Sequence, residues 1–334
     1  MQPTQPSDYP SVFRSAAWVQ AWIDTWGKHP ALQLIDLGGR SNPLETVYIT
    51  RQRLKKIIPV NTLSLAGVGC GLVSTPRAEY NDINQLVSHA SGVDGFFKAI
   101  KPLSWQQLLL PDILQGSLTD GYIQQLAQYK ALNVYALKTE PAYAVDSTSI
   151  EDYMQQLGAN TRLAYFNRRK NLAQHGEVHF ESYDINEADK AFALLNSFHL
   201  RRWGKPCYSA DSQSFMKNFG ARLKDQGGCF VLQSMHVNGE AVSILVDVIW
   251  KNIRYNFQSG YAENKYPKIA LGALHMGYGI EAAINNQQIY DFMAGEGKHS
   301  DYKKRIATRV QTINTYSLER GFVKKLRQLQ QRIQ

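Results

Sequence analysis

CFVLQSMHVNGEAVSILVDVIWKNIRYNFQSGY, residues 229–261, reads as three strands joined by two tight turns. Asn238-Gly239 carries the left-handed conformations that a two-residue hairpin needs, which makes it the strongest short hairpin signal in the chain. Lys251-Asn252 marks a second such turn, so 229–237, 240–250 and 253–261 form an antiparallel meander. Beyond the loop AENKYPKIALG (262–272), a helix is expected over about 270–286. Ala270, Ala273, Leu274, Gly277, Ile280, Glu281 and Ala283 mix small and apolar residues there, as a closely packed helix requires. IYDFMAG (289–295) is the next strand, followed by a basic segment and a final strand pair near 310–318. Strands, helix and strand in this order imply an α+β fold with mixed sheets flanked by helices.

Toward the N-terminus, helices are expected over 212–225, 186–200 and 161–174, with a strand at 178–184. Ser149 caps the helix of EDYMQQL. PAYAVDSTSI (141–150) breaks both periodicities and reads as a junction, dividing the chain into 1–145 and 146–334. In the first half, Trp18, Trp22 and Trp26 recur at helical spacing and mark one buried face. Strands near 31–37, 44–50, 105–110 and 132–138 and helices near 79–90 and 119–130 complete it, with a Gly-rich passage at 67–71.

The 334 residues are 44% hydrophobic, enough for a sizeable core and far from the composition of a disordered chain. A net charge of +9 and a pI near 9.3 call for an anionic partner: nucleic acid, an acidic membrane surface or a phosphorylated cofactor. No apolar run reaches the roughly 18 residues of a membrane span, and MQPTQPSDYPSVF has no signal-peptide pattern. The expected location is therefore the cytoplasm. Cys70, Cys207 and Cys229 are too few and scattered for a disulfide framework or a metal site; Cys229, opening an apolar strand, reads as core.

Two stretches can carry chemistry. The loop entering the helix at 270 presents backbone N–H groups at a helix N-terminus, a natural phosphate site. Lys268 adds positive charge there, and Gly272 lets a ligand approach the backbone. In YDFMAGEGKHSDYKKR (290–305), Asp291 lies in an apolar strand and must be hydrogen-bonded, either capping a neighbouring loop or orienting a substrate amine. Glu296 can accept a proton, Tyr302 can give one to a leaving thiolate, and Lys303 can pair with a phosphate or carboxylate.

YDFMAGEGKHSDYKKRIA resembles the end of the acetyltransferase domain in the CelD-like and FemAB-like branch of the GNAT superfamily, with Tyr290, Asp291, Phe292, Gly295, Glu296, Tyr302 and Lys303 in matching order. SGYAENKYPKIALGALHMGYGIEAA and RLAYFNRRKNLAQHGEVHFE resemble the same branch, over about 155–305 in all. The resemblance implies a tandem GNAT-like fold, with the N-terminal half a degenerate first copy. It implies transfer of an acyl group from an acyl-CoA, acetyl-CoA first, to an amine in polysaccharide or cell-envelope metabolism. No metal takes part. On this reading the catalytic residues are Asp291, Glu296 and Tyr302, with Lys268, Ile269, Gly272 and Lys303 on the cofactor and Arg169, Trp203 and Tyr261 on the substrate. The acceptor is a small molecule or glycan precursor. YPKIALG departs from the better-known coenzyme A loop, which has several closely spaced glycines.

Some relatives in this branch take aminoacyl-tRNA as donor, which the basic charge would suit. A binding module that keeps the fold without catalysis is the third reading. The basic C-terminal GFVKKLRQLQQRIQ forms an amphipathic helix that either packs on the core or touches an anionic membrane.

Overall fold

A computed structural model describes residues 11–39, 42–54, 57–295 and 301–331. The strands are β1 (Gln33–Asp36), β2 (Thr46–Leu54), β3 (Ile58–Leu65), β4 (Gln107–Leu114), β5 (Asn133–Val145), β6 (Val178–Tyr183), β7 (Cys229–Val237), β8 (Glu240–Trp250), β9 (Ile253–Tyr261), β10 (Ile289–Ala294) and β11 (Arg309–Glu319). The helices are α1 (Ala16–Trp26), α2 (Asn84–His89), α3 (Val93–Ile100), α4 (Leu118–Leu126), α5 (Ile150–Gln156), α6 (Ala159–Arg162), α7 (Arg169–Ala173), α8 (Ala188–Trp203), α9 (Ala210–Asp225), α10 (Leu271–Asn285), α11 (Asp301–Ile306) and α12 (Gly321–Gln331). The result is a mixed α+β fold, as expected. The chain divides into two compact units, 1–140 with 311–334, and 141–310. The expected boundary at 145/146 thus moves to 140/141, and residues 311–334, placed in the second half on sequence, belong to the first unit.

In the first unit β1, β2 and β3 are antiparallel neighbours, β4 runs parallel to β3, and β11 runs antiparallel to β4. The Trp face of α1 is buried as its spacing predicts, with the Trp18 and Trp22 indole N–H groups donating to the Gly67 carbonyl and the Thr75 hydroxyl, each at 2.8 Å. Phe96, Trp105, Leu108, Leu110 and Leu318 centre the core. Only short helices, α2 and α3, connect β3 to β4.

The second unit repeats the scheme with a longer connection. Strands β6 to β9 form an antiparallel meander, α10 crosses over, β10 lies parallel to β9, and β5 runs antiparallel to β10. Asn238 and Gly239 take φ of 51° and 78°, which is why the first hairpin was legible. Gly277 lets α10 approach its neighbour: a Cβ there would collide with the Tyr165 carbonyl.

Some local expectations change. The strand β5 runs through Pro141 to Val145, because Ala142 and Ala144 pair with β10 and are buried; Pro141 marks the change of unit. The helix expected over 161–174 is split by a π-helical turn, Leu163–Asn167, between α6 and α7. The final strand pair is one long strand, β11. Cys229 is exposed, since it stands at the very start of β7, ahead of the buried residues. In α12, Val323 is buried and Phe322 is exposed.

A buried charge network ties β8, β9 and β10 together. Asp247, at a β8 bulge and fully buried, accepts from Arg254 Nε at 2.7 Å, Asn256 Nδ2 at 2.7 Å and the Tyr290 hydroxyl at 3.3 Å. Removing one partner of such a pair strands the other charge in the core. Arg254→Leu is therefore expected to lower the unfolding free energy by about 3–5 kcal/mol in urea titrations.

Candidate active site

The β9 and β10 strands pair over only three positions, Ile253↔Ile289, Arg254↔Tyr290 and Tyr255↔Asp291. Past Tyr255, β9 continues to Tyr261 while paired on its other side with β8, so its edge toward β10 has no strand on it. A cleft of about 590 Å³ lies here. Gln258, Ser259, Gly260 and Tyr261 of β9 line it, with Ala270, Gly272, Ala273 and Met276 at the start of α10. The C-terminal turns of α8 supply Phe198, His199, Arg202 and Trp203; α11 supplies Asp301, Tyr302 and Arg305; the π-helical turn supplies Tyr165.

Helical spacing puts His199, Arg202 and Trp203 on one face of α8. The His199 Nε2–H donates to the Ser259 carbonyl at 3.1 Å, which leaves the lone pair on Nδ1. Burial, with the Arg202 charge adding to it, lowers its pKa below the ordinary imidazole value. Arg202 donates to the Tyr261 hydroxyl at 2.6 Å, pairs with Glu263 at 2.8 Å and stacks on Trp203. Burial pushes the Tyr302 hydroxyl up to about 12, so at neutral pH it holds its proton and can donate it. The first N–H groups of α10 have no carbonyl within their own helix and open onto the cleft at Gly272 and Ala273.

Of the residues expected from sequence, Tyr261, Trp203, Tyr302 and Gly272 line this cleft. Gly272 has a different local role, however: the Tyr261 ring lies against it, and a Cβ would collide with that ring. The fully buried Asp291 accepts from the Met293 N–H at 2.6 Å, holding a bulge in β10 where Met293 has φ of 62°, the capping arrangement of the two that sequence allows. The Lys303 ammonium donates to the carbonyls of Met293 and Ala294, at 3.2 and 2.9 Å, so it braces the same bulge. Lys268 has an exposed side chain outside the cleft lining, and its carbonyl accepts from Arg168. Ile269 is packed in the core beside Leu271 and Leu274, because the loop turns it inward. Arg169 pairs with Glu281 and stacks 3.7 Å above the Tyr278 ring, and it is not among the residues lining the cleft. Glu296 lies outside the described residues.

Sequence reasoning missed His199, Arg202 and Arg305 as a set. The signal present was the His-x-x-Arg-Trp spacing before Gly204, which names one helix face but not what it faces. Cys207 gains no nucleophilic character, as burial pushes its thiol up to about 12.

Residues 159–304 match the acetyltransferase (GNAT) domain. The match lies within the second unit and contains nearly every cleft residue. Among solved structures, a conserved protein of unknown function from Bacteroides thetaiotaomicron superposes with a TM-score of 0.55 at 8% identity, covering 95% of this chain and 94% of that one. The C-terminal domain of a protein described as a lysylphosphatidylglycerol synthetase, from Agrobacterium fabrum, gives 0.52 at 8% identity, with 95% and 92% covered. FemX gives 0.52 at 10% identity, with 92% and 96% covered. At these identities the likeness is one of fold. No curated protein matches the chain in sequence. No helix among the described residues is long and apolar enough to cross a membrane.

Behind the cleft wall, Ser243 donates to the Gly260 carbonyl at 3.1 Å and accepts from His275 Nδ1 at 3.0 Å. The His275 Nε2 is buried with no hydrogen-bond partner among the described residues. Burial, helped by the Arg254 charge, therefore lowers the His275 pKa to about 3. In the unfolded chain the same ring takes a proton below about 6.5, so its stabilising contribution is complete above that pH and is lost as the pH falls. Between pH 7 and pH 5 this amounts to about 2 kcal/mol. Urea titrations should show His275→Gln losing that much less stability over the interval than the parent chain.

Proposed function

We propose that the second unit is an N-acyltransferase that moves an acyl group from an acyl-CoA, acetyl-CoA first, to an amine on a small molecule or glycan precursor. The observation that carries this reading is the parting of β9 from β10 beside the N-terminus of α10. An unpaired strand edge offers amide groups to an extended, amide-bearing arm, while a helix N-terminus and Arg305 favour a pyrophosphate. The GNAT match over 159–304 supports the same chemistry, and a cleft of about 590 Å³ is of the size that small ligands occupy.

In this mechanism the amine nitrogen attacks the thioester carbonyl carbon, and its proton passes to His199 Nδ1. A backbone N–H on the free edge of β9 receives the oxyanion. The C–S bond then breaks, and Tyr302 protonates the departing thiolate. Tyr261, fixed by Arg202, and Trp203 border the acceptor. The first unit is read as a degenerate copy: it repeats the strand scheme, but its short crossover helices leave no comparable helix N-terminus.

Thermal-shift measurements test the donor. Acetyl-CoA or a longer acyl-CoA should raise Tm, and tRNA at low and high salt should not. A response to tRNA alone would transfer the reading to an aminoacyl-tRNA donor, and silence toward both would end it. In steady-state assays, His199→Gln and Tyr302→Phe should each reduce kcat by about 10²–10⁴-fold. The acidic limb of the pH profile, set below the ordinary imidazole value, should disappear in His199→Gln.

A further inference from the structure

The outermost strand pair of the second unit carries a second set of chemically active side chains, none of which lines the cleft. Alternation along β6 puts His179, Glu181 and Tyr183 on one face. The register sets His179 opposite His236 and Glu181 opposite Ser234, so the two imidazoles and the carboxylate converge as a cross-strand pair plus its diagonal neighbour. Their ligand atoms all lie within 4.8 Å of one another. The Glu181 carboxylate is 3.4 Å from His236 Nε2 and 3.9 Å from His179 Nε2, and the two rings stack with centroids 4.8 Å apart.

We propose that His179, Glu181 and His236 form a binding site for one Zn²⁺ ion. Two imidazole nitrogens and one carboxylate are a borderline donor set that suits zinc, whereas Mg²⁺ and Ca²⁺ take oxygen alone. Zinc bonds of about 2.0–2.2 Å bring tetrahedral donors to about 3.4 Å from one another. The Glu181–His236 separation already meets this, and a small rotation of the half-exposed His179 closes the rest.

The surroundings hold the ligands in place. His236 has only 9% of its side chain exposed, and its Nδ1 lies 3.5 Å from the Gly239 carbonyl, which is placed to accept the Nδ1 proton when Nε2 binds the metal. Tyr183 donates to Glu181 at 3.1 Å. The Ser234 hydroxyl, 2.7 Å from His236 Nε2, yields that nitrogen to the metal and keeps Tyr183 at 2.9 Å as its partner. With about half of Glu181 exposed, the fourth coordination position faces solvent and takes water. The ion would pin edge strand β6 to β7.

The test uses the full chain, stripped with a chelator and titrated with Zn²⁺ alone against a chromophoric competitor. One equivalent should bind and raise Tm. Affinity should fall at least about tenfold in His179→Ala and in Glu181→Gln, both at half-exposed side chains whose loss leaves no buried cavity. Co²⁺ should give the intense visible bands of a four-coordinate site in the parent chain and lose them in His179→Ala. Absence of saturable binding, or equal affinity in the parent and in the His179→Ala/Glu181→Gln double variant, would overturn the assignment.

Discussion

Among the described residues three pairs hold β9 to β10, and the cleft lies where that pairing stops. The paired stretch holds a buried charge network. Asp247 enters the core on a bulge of β8, and its two oxygens are satisfied only if Arg254 and Asn256 on β9 and Tyr290 on β10 stay where they are. The network sits within the short paired stretch, since Arg254 is directly opposite Tyr290. One position further on, Asp291 holds the β10 bulge, and Lys303 fastens its carbonyls. Base and bulge together define where the two strands part.

Each half of this arrangement has a counterpart in the site. The free edge of β9 presents backbone groups, and the N-terminus of α10 presents more of them. Both are fixed groups that need no side-chain ordering when a ligand arrives, which is the form of preorganisation that acyl transfer exploits. The side chains that complete the cleft come from α8 and α11, with the Gly277 contact letting the Tyr165 turn close it from one side. Such π-helical turns recur at functional sites, and here the turn puts Tyr165 on the cleft wall.

The meander of 229–261 was legible because its turns need particular residues and punctuate three runs rich in β-branched and aromatic residues. Helix α10 and strand β10 followed from small-residue spacing and apolar content. The site was harder to read. Asp291 and Lys303 were visible as polar groups in an apolar context, yet sequence does not tell a charge that meets a ligand from one that satisfies a carbonyl or N–H two residues away. Lys268 and Ile269 come from a loop near a helix start that reads on sequence as a ligand contact; its geometry turns the first to solvent and the second to the core. His199 and Arg202 escaped notice because their meaning depends on α8 lying beside β9, a pairing that no local pattern records. The boundary at 140/141 was nearly legible, while the return of residues 311–334 was not, because strand pairing across the length of the chain leaves no local mark.

That return has a bearing on how the chain is made. Strand β4 needs β11 on its open edge, and β11 follows the whole of residues 141–310. During synthesis the second unit has all its strands available first, while the first unit waits with Leu108, Leu110 and Ile113 on an incomplete sheet. Contacts so distant in sequence form slowly, and an unpaired apolar strand is a template for wrong partners until its own arrives. The unit that is translated first is therefore the one that finishes folding last.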